Sequence, residues 1–405
     1  MLLLYNAGIR LYFLAVYSAS FFNSKAKLWI SGRRQVVNES AEKCIWFHFA
    51  SLGEFEQGRP VLEQLRQLHP NKKIVISFFS PSGYEIRKNT PLANEVYYLP
   101  LDTAANAREF INAINPQMVI FTKYEYWYHY FNELNMREIP LYIISGIFRP
   151  GQVFFKWYGG LHRKILSFVT HFYVQDDASV QLLQNIGITN VTPSGDTRFD
   201  RVWANAQQPK ELPLVASFVG KSKVFIAGST WPDDEKLIAK LVAVHPDWKF
   251  IIAPHEIGED KINGLLDLLP KDKTISFSKL ITQNALLNTQ ILIINNIGML
   301  SSLYQYGNIA YIGGGFGAGI HNTLEAAAFG LPVIFGPNYQ KFKEARDIIT
   351  LKAGFSINNE AELKTVVGTL INDESFYTHA ATQIKLYVQQ NIGATGIIVN
   401  AINPL

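Results

Sequence analysis

One carboxylate in the first half of the chain lies where an acid–base catalyst is commonly found. Glu54 ends the stretch His48–Glu54, just after the apolar run Cys44–Ala50, which we interpret as a buried strand. A carboxylate on a loop at a strand end can take a proton from an attacking hydroxyl group. The alternative is an ordinary acidic residue at the start of a helix, where the helix dipole favours negative charge. For Glu54 taken alone, the second interpretation is the simpler one.

Two further charged residues follow predicted strands in the same half. Glu125 lies in the aromatic run Thr122–Trp127 and is either a partly buried structural ion or a site residue. Arg198 can bind an anionic group, or it can pair with Asp196 or Asp200. Ligands of open α/β sheets bind at the carboxyl ends of strands, so both residues are candidates for a site.

A glycine-rich stretch dominates the second half. The apolar run Ile309–Ile312 is followed by five glycines within residues 313–319, and then by Asn322. Glycines let backbone N–H groups approach a ligand, and a helix N-terminus beyond them suits an anion. We predict a short helix over Thr323–Phe329, closed by Gly330. The pattern is typical of a ligand-binding loop.

Parts of the same stretch also fit two other patterns, a helix cap and a dinucleotide-binding loop. Asn322 and Glu325 match the capping box N-x-x-E, which needs no ligand. Gly313, Gly315 and Ala318 match a loose dinucleotide-binding pattern, which also needs an acidic residue at the end of the following strand. That strand ends without a carboxylate. We therefore do not expect NAD or FAD.

Three other places in the second half carry residues suited to binding. Ser229 and Thr230 precede a predicted helix, where they can bind an anion or simply cap the helix. Gly298 opens a helix that we predict to reach Tyr306. His255 follows a predicted strand and can contact a phosphate or a base, although a single histidine is more often structural.

Short apolar runs alternate with helical patterns along both halves of the chain. Such alternation predicts a parallel, doubly wound sheet in each half. Residues 203–222 are polar and contain proline, which predicts a linker and, between the two halves, a cleft where two substrates meet. The predicted strands are Cys44–Ala50, Ile74–Phe79, Val96–Leu99, Met118–Phe121, Leu141–Ile144, Phe172–Val174, Val191–Thr192, Val224–Ala227, Lys249–Ala253, Thr274–Ser276, Ile291–Ile294, Ile309–Ile312 and Pro332–Phe335.

Composition excludes several classes of protein. Hydrophobic residues make up 48% of the 405 residues and charged residues 17%, so the chain is not mainly disordered. A formal net charge of +4 is too small to indicate a nucleic-acid partner. The single cysteine, Cys44, rules out an internal disulfide and fits a reducing compartment. The chain has no C-x-x-C or H-E-x-x-H metal-binding pattern.

The first 22 residues are strongly apolar and contain one charge, Arg10, while Lys25 and Lys27 follow them. The segment lacks the charge order and small residues of a cleaved signal peptide. Asn6 and Arg10 weaken its interpretation as a full membrane span. We expect an interfacial helix with Lys25, Lys27, Arg33 and Arg34 at the lipid headgroups. The alternative is a core helix packed on its own domain.

Taken together, four motifs resemble those of the Kdo transferases, which add 3-deoxy-D-manno-octulosonic acid to lipid A precursor in Gram-negative bacteria. His48–Glu54 resembles the family's H-x-A-S-x-G-E, and Gly195–Asp200 its G-N-x-K-F-D, with Arg198 at the lysine. Ala227–Thr230 resembles A-G-S-T, and Gly319–Gly330 resembles G-G-H-N-x-L-E-x-A-x-x-G. The resemblance extends from about residue 44 to about residue 350.

Three motifs depart from the family pattern. The family's P-R-H-P becomes Ala253–Glu256, without the arginine that helps to bind the nucleotide. Its G-E-L becomes Gly298–Leu300, and its E-x-E-x-W becomes Lys123–Trp127, which keeps only Glu125. These departures affect the details of nucleotide contact and leave the reaction class as the resemblance implies it.

The resemblance implies an enzyme of the GT-B architecture, with two Rossmann-like domains facing across a cleft. It implies a glycosyltransferase that moves Kdo from CMP-Kdo to lipid A precursor at the cytoplasmic side of the inner membrane, with no cofactor and no metal. Glu54 would be the general base, and Glu125 and Arg198 would stabilise the transition state. Ser229, Thr230 and His321 are possible further contacts. The implied CMP-binding residues are Pro254, His255, Ile297, Gly298, Met299, Asn322, Thr323, Leu324 and Glu325.

The expected organisation has four parts. Residues 1–35 form a membrane-associating segment, 36–205 an acceptor-binding α/β domain, 206–385 a CMP-sugar-binding α/β domain, and 386–405 a segment that packs back on the N-terminal domain. Two alternatives remain from the sequence, a membrane-surface GT-B enzyme that uses a UDP-sugar and a non-enzymatic sugar-nucleotide binding module. Competition between CMP and UDP for the donor site distinguishes the UDP-sugar enzyme from a CMP-Kdo enzyme. Turnover of the donor distinguishes an enzyme from a binding module.

Overall fold

The computed structural model describes residues 1–283 and 289–402, which form two compact units. The first unit comprises Met1–Asp200 and the chain from Ile392 onward, and the second comprises Arg201–Asn391. Each unit contains one seven-stranded sheet in which all neighbouring strands are parallel. The prediction of two Rossmann-like α/β domains is confirmed.

The first sheet forms because short apolar runs bury both of their faces, as parallel strands require. Trp46 belongs to the hydrophobic core on one face, whereas its neighbours Ile45 and Phe47 belong to the core on the other. Its strands are β1 Cys44–Phe49, β2 Lys73–Phe78, β3 Glu95–Tyr98, β4 Pro116–Thr122, β5 Leu141–Gly146, β6 His171–Val174 and β7 Val191–Pro193. Their order is β3-β2-β1-β4-β5-β6-β7, so the switch point lies between β1 and β4.

The second sheet repeats this architecture with a switch point of its own. Its strands are β8 Val224–Thr230, β9 Lys249–Pro254, β10 Thr274–Ser276, β11 Ile291–Ile293, β12 Ile309–Ile312, β13 Val333–Phe335 and β14 Gly354–Ser356. Their order is β10-β11-β9-β8-β12-β13-β14, and the switch point lies between β8 and β12. Every predicted strand is present with boundaries within one or two residues, except that β8 continues three residues beyond the predicted end at Ala227, and β14 is an additional short strand.

The helices connect these strands. They are α1 Leu2–Ala19, α2 Ser24–Gly32, α3 Leu52–Leu68, α4 Pro81–Arg87, α5 Ala104–Ile114, α6 Tyr128–Met136, α7 Gly160–Leu166, α8 Asp177–Gln184, α9 Thr197–Gln207, α10 Pro213–Val219, α11 Pro232–Val244, α12 Glu259–Leu268, α13 Phe277–Gln283, α14 Leu300–Leu303, α15 Leu324–Ala328, α16 Lys343–Thr350, α17 Glu360–Asn372, α18 Glu374–Gln390 and α19 Ala394–Ile402. Single 3₁₀ turns occur at Val153–Phe155, Lys271–Lys273 and Tyr304–Tyr306.

Three predictions about segments are wrong: a linker, a domain boundary and a loop. Residues 203–222 form no linker, because α9 and α10 cover most of them and α10 buries Val215, Phe218 and Val219 at helical spacing. The predicted boundary after residue 385 falls inside α18. The loop predicted at Ser51–Glu54 is instead the start of α3, so Pro60 lies inside that helix and not in its first turn.

The last helix, α19, packs against α3 in the first unit, and Ile398, Val399 and Ile402 join its hydrophobic core. Asp200 fixes the start of α19 by accepting hydrogen bonds from the backbone N–H groups of Gly393 and Thr395, at 2.5 and 2.7 Å. Residues 403–405 of the predicted C-terminal segment lie outside the described residues.

The first helix, α1, leaves most of its surface exposed. Its contacts with the first unit are few: the Tyr5 hydroxyl donates to Asp102 at 2.5 Å, Asn6 bonds with His129 at 2.7 Å, and Tyr12 stacks on Phe79. Leu3, Leu4, Leu11 and Leu14 are exposed. Among the described residues, α1 is the one helix long and apolar enough to cross a membrane, and 6% of it is buried. Signal sequences and core helices pass the same test.

The basic residues near α1 do not all face outward. Lys25 and Lys27 are exposed, but Arg33 lies over the Trp29 ring at 3.6 Å and donates to the carbonyl oxygens of Leu99 and Phe79. Burial lowers the pKa of Arg33 to about 10. The expectation that Arg33 lies at lipid headgroups is therefore wrong, because its guanidinium is used inside the protein.

Candidate active site

The carboxyl edge of the first sheet brings the predicted catalytic residues together. Glu54 follows β1, Glu125 follows β4, and Arg198 follows β7. β1 and β4 are adjacent and border the switch point, where open α/β sheets bind ligands. The three residues, scattered over 145 positions of sequence from 54 to 198, therefore share one edge of one unit.

Glu54 lies in the first turn of α3 and is half-buried. The Ser51 hydroxyl donates a hydrogen bond to its carboxylate. The exposed backbone N–H groups at this helix N-terminus carry partial positive charge, which attracts a carboxylate side chain. A general base must reach the hydroxyl that it deprotonates, and the Glu54 side chain is accessible from solvent.

Arg198 is held in place by Asp196. Its Nε and Nη2 atoms donate to Asp196 Oδ2 at 2.9 and 2.7 Å, and its backbone N–H donates to Oδ1 at 2.9 Å. Burial by itself would raise the pKa of Asp196, but Arg198 outweighs burial and the pKa lies below its ordinary value. Of the alternatives open from the sequence, Arg198 pairs with Asp196, while Asp200 binds the start of α19.

Gln57 connects the helix of Glu54 to the loop of Arg198. Its Nε2 donates to Asp196 Oδ1 at 3.0 Å, and its carbonyl oxygen accepts from the Thr197 hydroxyl. Gln57 is buried and lies three residues after Glu54 on α3. These contacts fix the first turn of α3 relative to Arg198, although 139 residues of sequence separate Gln57 from Asp196.

Glu125 ends a buried chain of hydrogen bonds. Trp46 Nε1 donates to Ser77 Oγ at 2.7 Å, Ser77 Oγ lies 2.8 Å from His48 Nδ1, and His48 Nε2 lies 2.5 Å from Glu125 Oε2. A carboxylate only accepts, so Nε2 carries a proton and donates it to Glu125. The indole N–H only donates, so Ser77 Oγ accepts from Trp46, and every side chain in this series has a hydrogen-bond partner.

Sequence reasoning missed this role of His48, a histidine that is 1% exposed and lies inside an apolar strand. The signal was its position at the start of the His48–Glu54 motif. Trp127 Nε1 also donates to Glu125 Oε2, at 3.2 Å. Glu125 therefore has a structural role, whether or not it also acts on a substrate.

Tyr124 lies among the charges of this edge. Burial raises the pKa of its hydroxyl, and Glu54 and Asp196 add to the rise while Arg149 and Arg198 oppose it. A residue responds in this way only to charges that lie near it. Tyr124 is 41% exposed and so can contact a ligand at this edge. Neither Tyr124 nor Arg149 was predicted as a site residue.

In the second unit, the glycine-rich stretch is a closely packed turn. The N–H of Gly314 donates to Asp234 Oδ2 at 2.9 Å, and the N–H groups of Gly317 and Gly319 donate to the carbonyl oxygen of Gly314. The expectation that these amides bind a ligand is therefore wrong for all three. A Cβ at Gly315 would lie 2.6 Å from the backbone of Gly336, so glycine is needed for close packing.

The residues predicted to open a helix at Gly298 do not do so. The helix α14 begins at Leu300 and has four residues, and Gly298 adopts a positive φ of 91°. The predicted helix to Tyr306 ends in a 3₁₀ turn instead. Ile297 is 87% exposed, whereas Met299 is buried. An anion therefore gains little from a helix dipole at this place.

Asn322 and Glu325 contact each other at the start of α15, whose N-cap residue, Thr323, makes no side-chain cap hydrogen bond. Asn322 Oδ1 accepts from the N–H of Leu324 at 3.1 Å, and its Nδ2 donates to Glu325 Oε1 at 3.2 Å. The helix that they open, α15, has five residues, fewer than predicted, and Gly330 follows it with φ 76°. The Thr323 hydroxyl is buried and, among the described residues, has no hydrogen-bond partner.

Ser229 and Thr230 belong to β8 and do not cap a helix. Ser229 adopts a positive φ of 54°, and the Thr230 hydroxyl donates to Glu235 at 3.0 Å. The start of α11 is capped instead by Asp234, which accepts from the N–H of Trp231 at 2.9 Å. Burial raises the pKa of Asp234, although this donor and two others oppose the rise.

Three rings meet at the switch point of the second sheet. Trp231 Nε1 donates to His321 Nε2 at 3.0 Å, with the two rings 8° from parallel. His255 stacks on both, at centroid distances of 4.8 Å from Trp231 and 4.4 Å from His321. Burial, together with the neighbouring His255, lowers the pKa of His321 to about 4, so its imidazole is neutral at pH 7.

We call Trp231, His255 and His321 the ring cluster. His255 is exposed and follows Pro254, the last residue of β9. His255, which we predicted as a nucleotide contact, therefore lies beside Trp231, which follows β8, and His321, which follows β12. Sequence reasoning proposed both histidines and missed Trp231. Within the described ranges, no group of three or more His, Cys, Asp or Glu side chains could hold a metal ion.

Comparison with known proteins gives a consistent result. Residues 27–201 match the family model described as 3-deoxy-D-manno-octulosonic-acid transferase (kdotransferase). The 3-deoxy-D-manno-octulosonic acid transferase of Haemophilus influenzae is 27% identical over 377 residues, 89% of this chain and 86% of that protein. The Aquifex aeolicus transferase of the same name is 26% identical over 84% of this chain and 90% of its own length.

The chain is a homologue of the Kdo transferases, and therefore a glycosyltransferase. A bifunctional glycosyltransferase/methyltransferase of Fusobacterium nucleatum is 24% identical over 88% of this chain, which spans 57% of that longer protein. Homology of this kind supports transfer of Kdo in lipopolysaccharide biosynthesis.

Two solved structures share the fold. The UDP-GlcNAc 2-epimerase of Neisseria meningitidis has a TM-score of 0.63 with 15% identity, and covers 88% of this chain and 99% of its own. The corresponding enzyme of Methanocaldococcus jannaschii has a TM-score of 0.54 with 13% identity, over 87% of this chain and 100% of its own. At such identities the likeness shows the fold alone, which is of the GT-B type.

Proposed function

We propose that this Kdo transferase homologue is an inverting glycosyltransferase that moves Kdo from CMP-Kdo to a sugar hydroxyl of a lipid A precursor. The observation that carries the proposal is the assembly of Glu54, Glu125 and Arg198 at one edge of the first sheet. Transfer to a sugar hydroxyl needs a base for the nucleophile and stabilisation of charge on the transferred group. The Glu54 carboxylate, the Glu125 carboxylate held by His48 and the Arg198 guanidinium fixed by Asp196 supply these elements.

In this proposal, Glu54 takes the proton from the acceptor hydroxyl. The oxygen then attacks the anomeric carbon of Kdo, and the bond to CMP breaks with its electrons going to the phosphate. Arg198 stabilises negative charge, and its pairing with Asp196 supports this role because a side chain already held in place needs no reorganisation. Glu125 stabilises positive charge that develops on the sugar ring.

The second unit binds CMP in this proposal. Glu325 contacts the ribose hydroxyls, and Asn322, Thr323 and Leu324 line the same place. Support comes from the buried Thr323 hydroxyl, which has no partner among the described residues and can bond to a ligand. Pro254, His255, Ile297, Gly298 and Met299 complete the contacts, and neither a metal nor a cofactor is part of the proposal.

We further propose that α1 attaches the enzyme to the cytoplasmic side of the inner membrane. Deleting residues 1–22 is expected to move the protein from the membrane fraction towards the soluble fraction with the fold intact. A gentler variant replaces Leu3, Leu4, Leu11 and Leu14 by serine and keeps the contacts of Tyr5, Asn6 and Tyr12. If both variants stay with the membrane, or if both unfold, α1 is not the anchor.

The test of the proposed function is a transfer assay. The full-length protein is incubated with CMP-Kdo and lipid A precursor, and product masses are recorded together with released CMP. We expect a product heavier by one or more Kdo residues, formed about 10²–10⁴-fold more slowly with Glu54→Gln. A product formed from a UDP-sugar and none from CMP-Kdo would show that CMP-Kdo is not the donor. Binding of CMP-Kdo without turnover would show that the protein is not an enzyme for this donor.

A further inference from the structure

The connection between β5 and α7 exposes two aromatic side chains. Trp157 is 91% exposed and Tyr158 is 50% exposed, and their rings form an edge-to-face pair with centroids 5.5 Å apart. Large aromatic side chains are normally buried, where their apolar area stabilises the protein. A neighbouring pair that is left in water therefore needs an explanation. We call Val153–Tyr158 the aromatic loop.

The aromatic loop is an ordered element. Phe154 anchors it in the hydrophobic core with 6% of its surface exposed. Arg163 Nη1 donates to the carbonyl oxygens of Phe154 and Lys156, at 3.1 and 2.8 Å. The loop closes at Gly159, where a Cβ would lie 2.0 Å from the carbonyl oxygen of Val153. The fold thus presents the two rings outward from a fixed base.

Charge around the aromatic loop has one sign. Residues 139–175 contain four Lys or Arg and no Asp or Glu. Arg149 and Lys164 are exposed, and Lys156 is half-buried beside Trp157. Trp and Tyr beside Lys and Arg are the side chains that favour the headgroup region of a bilayer, and basic residues attract anionic lipids.

The loop lies at the carboxyl edge of the first sheet, since it follows β5. The same edge carries α1, whose contacts Asp102, Phe79 and His129 follow β3, β2 and β4. Glu54 and Arg198 follow β1 and β7 at this edge as well. Within one unit, the exposed aromatic pair, the apolar helix and the candidate catalytic residues therefore share one side of the sheet.

We propose that the aromatic loop is a second lipid-binding element, distinct from α1, that docks the carboxyl edge of the first unit on an anionic bilayer. The inference rests on the proposed function at a membrane surface, and it uses residues outside the transfer chemistry. Trp157 and Tyr158 enter the headgroup region, while Lys156 and Lys164 contact anionic headgroups. Docking presents the edge that carries Glu54 to an acceptor held in the same surface.

The experiment uses a fluorescent reporter on the full-length protein. Gly160 is exposed and has room for a Cβ, so Gly160→Cys places a thiol beside the two aromatic rings without removing them. The native thiol, Cys44, is fully buried and stays unlabelled. The matched control is Leu68→Cys, because Leu68 is 49% exposed at the end of α3, on the amino edge of the sheet. Both carry the same polarity-sensitive dye.

Vesicles of phosphatidylcholine with phosphatidylglycerol should shift the Gly160→Cys dye to shorter wavelength, and quencher-bearing lipids should quench it, while the Leu68→Cys dye stays in water. Replacing Trp157 and Tyr158 together by serine should weaken the dye response at least about tenfold, whereas Leu68→Ser should not. Lys156→Gln and Lys164→Gln should each weaken it about fivefold at low salt.

Some results would overturn the inference. A Gly160→Cys dye that stays in water while the protein is bound to vesicles shows that α1 alone makes the contact. A dye response to another protein, and none to vesicles, makes the loop a protein-binding surface. The vesicle assay contains neither donor nor acceptor, so it reports docking whether or not Kdo is transferred. Normal transfer without a dye response removes this inference and leaves the proposed function intact.

Discussion

Two substitutions of Glu125 separate its structural role from its proposed catalytic role. In the wild-type protein, His48 Nε2 and Trp127 Nε1 lie 2.5 and 3.2 Å from Glu125 Oε2. Glu125→Ala removes this acceptor from both donors. His48 is 1% exposed, so its N–H cannot reach water, and a buried unsatisfied donor costs about 1–3 kcal/mol. Glu125→Gln keeps an acceptor oxygen and loses only the charge, which costs about 1 kcal/mol.

The expected outcomes differ for stability and for rate. For a unit of this size, 1 kcal/mol shifts the melting temperature by about 2–4 °C. Glu125→Ala should therefore lower it by about 2–12 °C, and Glu125→Gln by about 2–4 °C. If the carboxylate charge stabilises the transition state, Glu125→Gln should lower kcat by roughly 10²-fold, since an electrostatic contact in a site contributes that much.

The assays are thermal unfolding and initial rates of Kdo transfer. The matched control is Glu133→Gln, because Glu133 has a similar side-chain exposure of 11% against 14% for Glu125, and its partner Arg137 caps the C-terminus of α6. The control should change stability and leave kcat near wild type. Wild-type kcat in Glu125→Gln would make Glu125 a structural residue. Equal melting temperatures for the glutamine and alanine variants would refute the account of the His48 contact.

Three further predictions concern single residues. Glu54→Gln should lower the transfer rate by about 10²–10⁴-fold with CMP-Kdo affinity and melting temperature near wild type, and near-wild-type transfer would exclude Glu54 as the base. Glu325→Ala should cost at most about 1 kcal/mol of stability but roughly 1–3 kcal/mol of CMP binding by calorimetry, and unchanged affinity would reduce Glu325 to a cap. His321 has a folded pKa of about 4 against 6.5 unfolded, so the unfolded chain takes up a proton first and stability should fall as pH drops from about 6.5 to about 4. The loss of unfolding free energy should be roughly 1–2 kcal/mol, because the ring is partly exposed. Glutamine does not titrate, so denaturant unfolding of His321→Gln should not show this loss.

Local pattern was enough to predict the strands. Runs such as Cys44–Phe49 are apolar over their whole length, and only a buried parallel strand of a doubly wound sheet satisfies such a run next to helical segments. The turn glycine Gly330 was also predictable, because a residue of positive φ after a helix is usually glycine. Helix lengths were less predictable, since the predicted helix from Gly298 depended on packing that the local pattern does not contain.

The partners of the site residues were decided only by tertiary structure. His48 and Glu125 are 77 residues apart, and Gln57 and Asp196 are 139 apart, so no local pattern connects them. They meet because parallel strands bring their carboxyl ends to one edge, whichever order the strands have in sequence. Trp231 joins His255 and His321 for the same reason in the second unit.

The glycine-rich stretch shows most clearly what the sequence determines and what only the tertiary structure decides. By itself the sequence determined that residues 313–319 form a glycine-rich loop after a strand, where the absence of side chains lets other groups approach the backbone. Only the tertiary structure decided which acceptors these amides have. Asp234 and the Gly314 carbonyl oxygen accept hydrogen bonds from N–H groups that could otherwise have bound a ligand. A backbone N–H group bonds to whichever acceptor the fold brings within about 3 Å, and for Gly314 that acceptor, Asp234, lies 80 residues away in the sequence.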